Sequence, residues 1–377
     1  MKKFLKWLAY TILTLIMVAN VVIAYTGRYY IYKAIVNTYF KGRSGPSIDE
    51  YGIFANRVVK TGAPQPWPIS KAYNKKSIPA AYLSQIEGFK TEAYLIIRND
   101  SICYEQYWDG YSDTSHTNSF SMGKSIVSIL VGIAIQEGKI KSIDEHVSDF
   151  IPSFKVGMDS LLRIKDLLTM SSGINFVESY VSPFAYPAEA YYGNNLIENT
   201  LKYKVVSQPG KEFIYLSGNS LLLGYIVTIA TGKTLSDYAS EKLWIPMGAE
   251  HPAFWSLDHE GGMEKSYCCF NSNARDFAKL GQLYLDTGKW GGKQLVPKDY
   301  VLASTKPALS EHYGYNWWIL NCDGHQVPYC RGILGQYIFV IPDKNMVVVR
   351  LGKKRGVVND NVPSDALIYL KAAFEMQ

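Results

Sequence analysis

Cysteine and histidine are scarce in this sequence, and their spacing excludes several classes of enzyme. The chain has five cysteines and six histidines, with no C-x-x-C pair and no H-E-x-x-H segment. A structural zinc site and a zinc peptidase are therefore not expected. No G-x-S-x-G segment occurs either, which excludes the nucleophile elbow of an α/β-hydrolase. We expect neither a metal nor an organic cofactor.

Charge is also sparse and evenly spread. Charged residues make up 19% of the chain, and the net charge is +6. Because no dense Lys/Arg cluster exists outside the N-terminus, the excess of positive charge indicates a well-solvated surface and not a nucleic-acid-binding surface. The 377 residues and the hydrophobic content of 47% are ample for a large core. We therefore expect a folded protein with no nucleic-acid partner.

The cysteines give no disulfide framework. The adjacent residues Cys268 and Cys269 are expected to pack in the interior and not to carry redox chemistry. Cys322 and Cys330 are a possible pair in an oxidising compartment, but they flank the turn-like Asp323-Gly324 unequally. A cross-strand bridge between them is therefore not favoured.

The N-terminus carries the one long apolar run. Three lysines within the first six residues precede an uncharged stretch from Trp7 to Tyr25. About 20 such residues can span the ~30 Å hydrocarbon layer, and the lysines predict a cytoplasmic N-terminus with the rest exported. The alternative is a cleaved signal peptide, since Val22-Ile23-Ala24 loosely fits a cleavage site. We predict a membrane-anchored protein with an extracytoplasmic catalytic domain, secreted if residues 1–26 are cleaved.

One short segment has the composition of a catalytic centre. Ser121 and Lys124 form the only S-x-x-K in the chain, and on a helix they share a face. The run Ile126–Ile135 that follows has no polar stripe beyond Ser128, which predicts a buried helix. Burial and the helix N-terminus both disfavour a charged ammonium there, so we expect Lys124 to take the Ser121 proton. The alternative is a capping serine with a snorkelling lysine.

Strand-like segments lie towards both ends of the chain, with helices between them. Residues 93–97 and 102–107 read as a hairpin, and further strands are predicted at residues 316–320, 335–341 and 346–351. This predicts an α+β fold in which an antiparallel sheet from N- and C-terminal segments is flanked by helices and carries an inserted, mainly helical lobe. We divide the chain into a membrane or signal segment (1–26), a connector (27–80) and a catalytic domain (81–377).

Further segments follow Ser121 in one order along the chain. They are Leu167–Gly173, which reads LLTMSSG, then Pro209-Gly210, Phe213-Ile214-Tyr215 and Gly332–Gln336, which reads GILGQ. This ordered set resembles the serine β-lactamase and penicillin-binding protein superfamily. The resemblance is to its class C-like branch, which includes esterases, D-aminopeptidases and 6-aminohexanoate-dimer hydrolases. It covers roughly residues 93–374 and implies a β-lactamase/transpeptidase-like fold.

The resemblance implies a role for each matching residue. Ser121 is similar to the acylated nucleophile, and Lys124 to the base beside it. Tyr215 matches the tyrosine that passes a proton to the leaving group. Gly335 and Gln336 align with a strand edge whose backbone N–H joins that of Ser121 in the oxyanion hole. Taken singly, Tyr215 could equally be a packing tyrosine and Gly335 a simple strand glycine.

Three departures from the superfamily pattern bear on the substrate. Ser217 stands where the pattern has asparagine, with Asn219 two residues further on. The cation expected before the strand glycine is replaced by Ile333, and Arg331 is the nearest basic residue. The literal Lys60-Thr61-Gly62 lies upstream of the nucleophile and is treated as coincidental. An ester or linear amide substrate therefore fits better than a β-lactam.

Two functional hypotheses follow. The first is a serine hydrolase that cleaves an ester or amide bond of a small molecule or short peptide through a Ser121 acyl-enzyme, with Lys124 and Tyr215 in proton transfer. The second is a catalytically silent relative that binds peptidoglycan or peptide fragments. Ser171 and Ser172 lack a lysine three residues on and are weaker nucleophile candidates. The loop around residues 178–195 is expected to set specificity, and the oligomeric state is left open.

Overall fold

The computed structural model describes residues 1–179 and 186–376. Its helices are α1 (Lys2–Thr26), α2 (Tyr30–Asn37), α3 (Ala80–Gly88), α4 (Met122–Gln136), α5 (Ile164–Leu168), α6 (Tyr186–Tyr192), α7 (Leu196–Leu201), α8 (Ser217–Thr231), α9 (Leu235–Ala239), α10 (Ala274–Leu285), α11 (Lys298–Ser304) and α12 (Ser364–Glu375). Its strands are β1 (Asn56–Val59), β2 (Thr91–Arg98), β3 (Ser101–Tyr107), β4 (Thr117–Asn118), β5 (Ala253–Ser256), β6 (Phe270–Ser272), β7 (Lys289–Trp290), β8 (Lys293–Gln294), β9 (Trp318–Cys322), β10 (His325–Arg331), β11 (Tyr337–Ile341), β12 (Met346–Gly352), β13 (Val358–Asn359) and β14 (Val362–Pro363).

The main sheet joins the two ends of the catalytic domain, as the sequence predicted. Its six antiparallel strands run in the order β3-β2-β12-β11-β10-β9, with Leu95 of β2 opposite Val349 of β12. Helix α10 covers one face, and α3 and α12 cover the other. Every residue of β12 is buried as a result, which explains why its sequence is apolar apart from Arg350.

A mainly helical lobe is inserted between β3 and β9, which confirms the predicted architecture. At its centre α4 packs against α8 and is buried from Met122 to Ala134, as the missing polar stripe indicated. Strand β4 leads into α4 and belongs to a second sheet of order β1-β5-β6-β4. Strand β1 comes from residues 27–80, the predicted connector, so that segment contributes a strand to this sheet.

Several predicted boundaries differ from the observed ones. Strand β10 was not predicted. Gly335 and Gln336 lie in the turn between β10 and β11, and not on a strand as predicted. This turn needs Gly335, whose φ of 83° lies in the left-handed region.

The N-terminal helix α1 is long and apolar enough to cross a membrane by length and composition. Only 6% of its apolar window is buried within the chain. Helix α2 follows at once and packs its Tyr30 and Ile31 inward, towards α6. Large apolar side chains stay exposed on α2 and the turn after it, namely Tyr29, Tyr32, Val36, Tyr39 and Phe40.

Arg350 ties the sheet to the Gly335 turn. Its side chain is fully buried on β12 and has no carboxylate within ion-pair distance in the described chain. The guanidinium instead donates to the carbonyl oxygens of Leu334 (2.9 Å), Gly335 (2.6 Å), Phe89 (2.6 Å) and Lys354 (3.1 Å). These carbonyls belong to three separate segments of the chain, so this one side chain ties several loops together at the end of the sheet.

We predict that Arg350→Met lowers the free energy of unfolding by about 3 kcal/mol or more, since four carbonyl oxygens at the end of the sheet lose their donor. Urea denaturation in detergent solution measures this change. Arg98→Met, at the half-exposed end of β2, is the matched control and should stay within about 0.5 kcal/mol of wild type. Equal losses in the two variants would contradict the anchoring role of Arg350.

Candidate active site

Ser121 stands at the turn between β4 and α4. The preceding residue, Phe120, has φ 43°, a left-handed conformation that redirects the chain into the helix. Ser121 is the residue before the first turn of α4, and its hydroxyl makes no capping bond to that helix. The side chain is half-buried. The expected alternative of a capping serine therefore does not describe this residue.

Lys124 is directed at the Ser121 hydroxyl. Its Nζ lies 3.0 Å from Ser121 Oγ and 3.0 Å from the carbonyl oxygen of Tyr267. The side chain is 1% exposed, so it does not snorkel to solvent. No ion pair to a carboxylate is found for this lysine in residues 1–179 and 186–376. The Tyr267 carbonyl oxygen therefore helps to hold the amine of Lys124 beside the Ser121 hydroxyl.

The Tyr215 ring also packs against the amine of Lys124. Its ring centroid is 5.1 Å from Lys124 Nζ, and its ring packs 5.2 Å from Trp318 and 5.9 Å from Tyr313. The neighbouring Trp317 faces the opposite way and is fully buried against Tyr284.

A segment from Tyr267 to Phe270, which we call the floor segment, supports the nucleophile turn. The N–H groups of Phe120 (2.8 Å) and Cys269 (3.1 Å) both donate to Asn118 Oδ1. Gly123 is pressed on the backbone of Cys268, because a Cβ there would lie 3.2 Å from the Cys268 carbonyl oxygen. The floor segment thus touches the chain on both sides of Ser121.

Cys268 and Cys269 are joined by a disulfide within the floor segment. The expectation that this pair merely packs was wrong, because the two neighbouring sulfurs are bonded. Cys322 and Cys330 are both free, as the unequal spacing suggested. Cys322 on β9 lies opposite His325 at the turn of the β9–β10 hairpin, whereas Cys330 lies near the other end of β10, so the two thiols are at opposite ends of the hairpin.

The Gly335 turn lies against the chain just before the nucleophile. A Cβ on Gly332 would come within 2.7 Å of the Ser119 carbonyl oxygen. The buried Gln336 side chain accepts from Leu334 N–H (3.1 Å) and donates to the Gly352 carbonyl (2.6 Å), so it shapes the turn. Neither the Ser121 N–H nor the Gln336 N–H donates to another described residue. Both N–H groups are thus available as donors.

The other predicted site residues have different surroundings. The Ser217 N–H and hydroxyl both donate to the Glu178 carboxylate, at 2.6 and 2.7 Å. Asn219 is buried inside α8 and donates to Met170 Sδ. Arg331 lies over the Trp318 ring, 3.4 Å from its centroid. Lys60-Thr61-Gly62 packs instead near Ser240 and Ile245.

Some functional features gave little or no signal in the sequence. The Tyr267 carbonyl that holds Lys124, and the Asn118 side chain that joins two loops, belong to no motif. The adjacent cysteines were visible but were not connected to the site. Part of the predicted specificity loop, residues 180–185, lies outside the described residues. Among the described residues, no cluster of His, Cys, Asp or Glu could hold a metal ion.

A six-stranded antiparallel sheet, a helical lobe and a buried serine–lysine pair at the head of its central helix together define the β-lactamase/transpeptidase-like class of proteins. The family model described as Beta-lactamase matches residues 82–372, well over half of the chain. The chain belongs to this family, and membership supports a hydrolase in general.

Known relatives fit this family. The chain is 25% identical over 301 residues to the 6-aminohexanoate-dimer hydrolase of Paenarthrobacter ureafaciens, covering 71% of this chain and 74% of the relative. The structure of a Bacillus anthracis protein provisionally given the same name superposes with a TM-score of 0.73 at 20% identity, covering 86% of this chain and 90% of that one. A family VIII carboxylesterase gives 0.63 at 15% identity, covering 82% and 99%. These structures establish the fold.

We predict that Asn118→Ala lowers kcat by about tenfold to a hundredfold, because Ser121 is no longer tied to the floor segment. The variant also buries two N–H groups without an acceptor, so the free energy of unfolding should fall by about 2–4 kcal/mol. Hydrolysis of a chromogenic ester and urea denaturation measure the two effects.

Asn118→Asp is the control, since it keeps an oxygen at the same place and should retain most of the stability. A wild-type kcat in Asn118→Ala would show that this side chain does not position the nucleophile.

Proposed function

We propose that the chain is a serine hydrolase that cleaves an ester or linear amide bond through a covalent acyl-enzyme on Ser121. The observation that carries the proposal is the 3.0 Å contact between Lys124 Nζ and Ser121 Oγ. The lysine is buried, and no carboxylate of the described residues forms an ion pair with it. A lysine held on a serine in this way is the arrangement that nucleophilic catalysis requires.

In the first step, Lys124 acts as the base that removes the Ser121 proton while Oγ attacks the carbonyl carbon of the substrate. The negative charge on the former carbonyl oxygen is stabilised by the N–H groups of Ser121 and Gln336. Tyr215, in contact range of the lysine, then passes a proton to the leaving alcohol or amine. The carbon–leaving-group bond breaks, and an ester on Oγ remains.

In the second step, a water molecule replaces the leaving group at the carbonyl. Its proton goes to the same Lys124–Tyr215 pair, and its oxygen bonds to the acyl carbon. The Oγ–carbon bond breaks, Ser121 recovers its proton, and a carboxylic acid is released. Atoms and charges balance with water as the only co-substrate, so the proposal needs no metal or organic cofactor.

We further propose that α1 anchors the chain in a membrane and that the catalytic domain faces away from the cytoplasm. The exposed aromatic side chains after α1 support this, with Tyr39 69% and Phe40 79% exposed. Exposed tyrosines are typical of the zone where a bilayer meets water. Residues 29–40 follow the apolar helix directly and would lie in that zone.

A fluorophosphonate probe should label the wild-type chain and leave Ser121→Ala unlabelled, with kcat reduced by about a thousandfold or more. Tyr215→Phe should remain labelled but turn over an ester about a hundredfold more slowly, since its proton donor is missing. Gel fluorescence and initial rates measure these outcomes.

Ser172→Ala is the matched control for the rival nucleophile and should be labelled like wild type. A wild-type chain that takes neither a fluorophosphonate nor a fluorescent penicillin would favour the silent binding module. If Ser121→Ala is still labelled, Ser121 is not the nucleophile.

For the topology, we predict that alkaline phosphatase fused to the C-terminus is active in a bacterial host, because this reporter folds only outside the cytoplasm. The same fusion without residues 2–26 should be inactive. Phosphatase activity is the measurement. An inactive full-length fusion that is stably produced would place the catalytic domain in the cytoplasm.

A further inference from the structure

The disulfide of the floor segment joins Cys268 and Cys269, which are neighbours in the chain. It closes a small ring that contains the peptide unit between the two residues, so it restricts the backbone of the floor segment itself. A disulfide stabilises a fold mainly by limiting the unfolded chain, and this effect grows with the length of the closed loop. Because adjacent residues close the shortest possible loop, overall stabilisation does not account for this bond.

The ring holds an unfavourable backbone conformation in place. Cys269 has φ 64°, in the left-handed region that a residue with a Cβ rarely adopts. Its carbonyl oxygen accepts from the Ser256 N–H (3.0 Å) and from the Asn271 side chain (2.8 Å). Without the ring, these hydrogen bonds and that of the Cys269 N–H would be left to oppose the return of Cys269 to a commoner conformation.

Two carbonyl groups at this ring face the helix that carries the catalytic base. The carbonyl just before the ring, that of Tyr267, accepts from Lys124 Nζ at 3.0 Å. The carbonyl inside the ring, that of Cys268, lies 3.2 Å from the Cβ position of Gly123. A rotation of these peptide units would therefore withdraw an acceptor from Lys124 and disturb the contact with α4.

The same ring supports the nucleophile turn. The Cys269 N–H belongs to the peptide unit inside the ring and donates to Asn118 Oδ1 at 3.1 Å. That oxygen also accepts from the Phe120 N–H, directly before Ser121. Both groups of the reacting pair, Ser121 and Lys124, are thus connected to the two cysteines through single hydrogen-bonded contacts.

We propose that the Cys268–Cys269 disulfide is a positioning element of the hydrolase, and that reduction of this bond slows the acylation of Ser121. The cysteines take no part in the bond chemistry and act through the groups that they hold in place. A misplacement of about 1 Å in a catalytic group can cost about a hundredfold in rate, so a small shift of the floor segment is sufficient. The inference rests on the proposed function, in which Lys124 is the base.

Reduction by a dithiol is a balanced two-electron step. One thiolate of the reagent attacks a sulfur of the bond, and the second thiolate then displaces the cysteine from the mixed disulfide. The reagent closes to a cyclic disulfide, and its two S–H protons end on the two cysteine thiols. Cys268 and Cys269 are 3% and 0% exposed, so the reagent reacts when the floor segment opens locally.

The test uses the full-length wild type in detergent, air-oxidised and then reduced with dithiothreitol. Because the other three cysteines are free, thiol titration in denaturant should rise from three to five per chain. Reduction should lower the rate of fluorophosphonate labelling and the kcat for a chromogenic ester by about tenfold to a hundredfold. KM and the urea midpoint should change little, and reoxidation should restore both rates.

Two double variants separate the backbone conformation from the sulfur atoms. Cys268→Ala/Cys269→Ala removes the bond but keeps a Cβ at the left-handed position, so it should match the reduced protein. Cys268→Ala/Cys269→Gly also lacks the bond, but glycine adopts this φ freely and should recover part of kcat. Cys322→Ala removes a buried free thiol from β9 in the main sheet, and this matched control should keep the wild-type rates.

Three results would overturn the inference and leave the hydrolase intact. They are five free thiols in the air-oxidised chain, unchanged rates after reduction and in the double-alanine variant, or equally low kcat in the alanine and glycine variants. The last result would mean that the loss comes from a packing defect and not from the backbone of Cys269. A failure of the proposed function looks different, because the oxidised wild type would then take no fluorophosphonate label at Ser121.

Discussion

The amine of Lys124, held between Ser121 Oγ and the Tyr267 carbonyl, is the interaction on which the rest of the site depends. A buried amine without a carboxylate must find other acceptors, because leaving its donors unpaired costs several kcal/mol. Both acceptors come from outside the body of α4. One is the turn before the helix, and the other is the floor segment that leads into β6. Lys124 is therefore held beside Ser121 only when the four-stranded sheet β1-β5-β6-β4 and helix α4 are packed together.

The main sheet contributes to the site through its loops. Arg350 binds the carbonyls of Leu334 and Gly335 from the buried strand β12, and Gln336 bonds back to Gly352 at the end of that strand. The turn that offers the Gln336 N–H is thus fixed by the centre of the sheet and not by its own sequence. Rigid placement of such donors matters, since an oxyanion hole stabilises a transition state only if its dipoles need no rearrangement.

The sequence predicted what depends on local pattern. Helical periodicity placed Ser121 beside Lys124, and the absence of a polar stripe identified α4 as buried. The order of motifs located Tyr215 and the Gly335 turn. Local sequence patterns could not predict the contact of Asn118 with Cys269, 151 positions away, because nothing near either residue encodes a pairing at that distance. The same holds for the Ser217–Glu178 contact. These were missed because packing, and not propensity, brings the residues together.

The chemistry and the specificity of this fold reside in separate parts of the chain. In the proposed reaction Ser121, Lys124 and the floor segment would surround the reacting bond, and any ester or amide would make the same demands on them. The loops after β10 and β12, by contrast, can change without disturbing α4. Relatives named as a 6-aminohexanoate-dimer hydrolase and a family VIII carboxylesterase are similar to this chain at 25% and 15% identity. Their names support a hydrolase in general, while the substrate must be inferred from the side chains that surround Ser121 and Tyr215 in this particular chain.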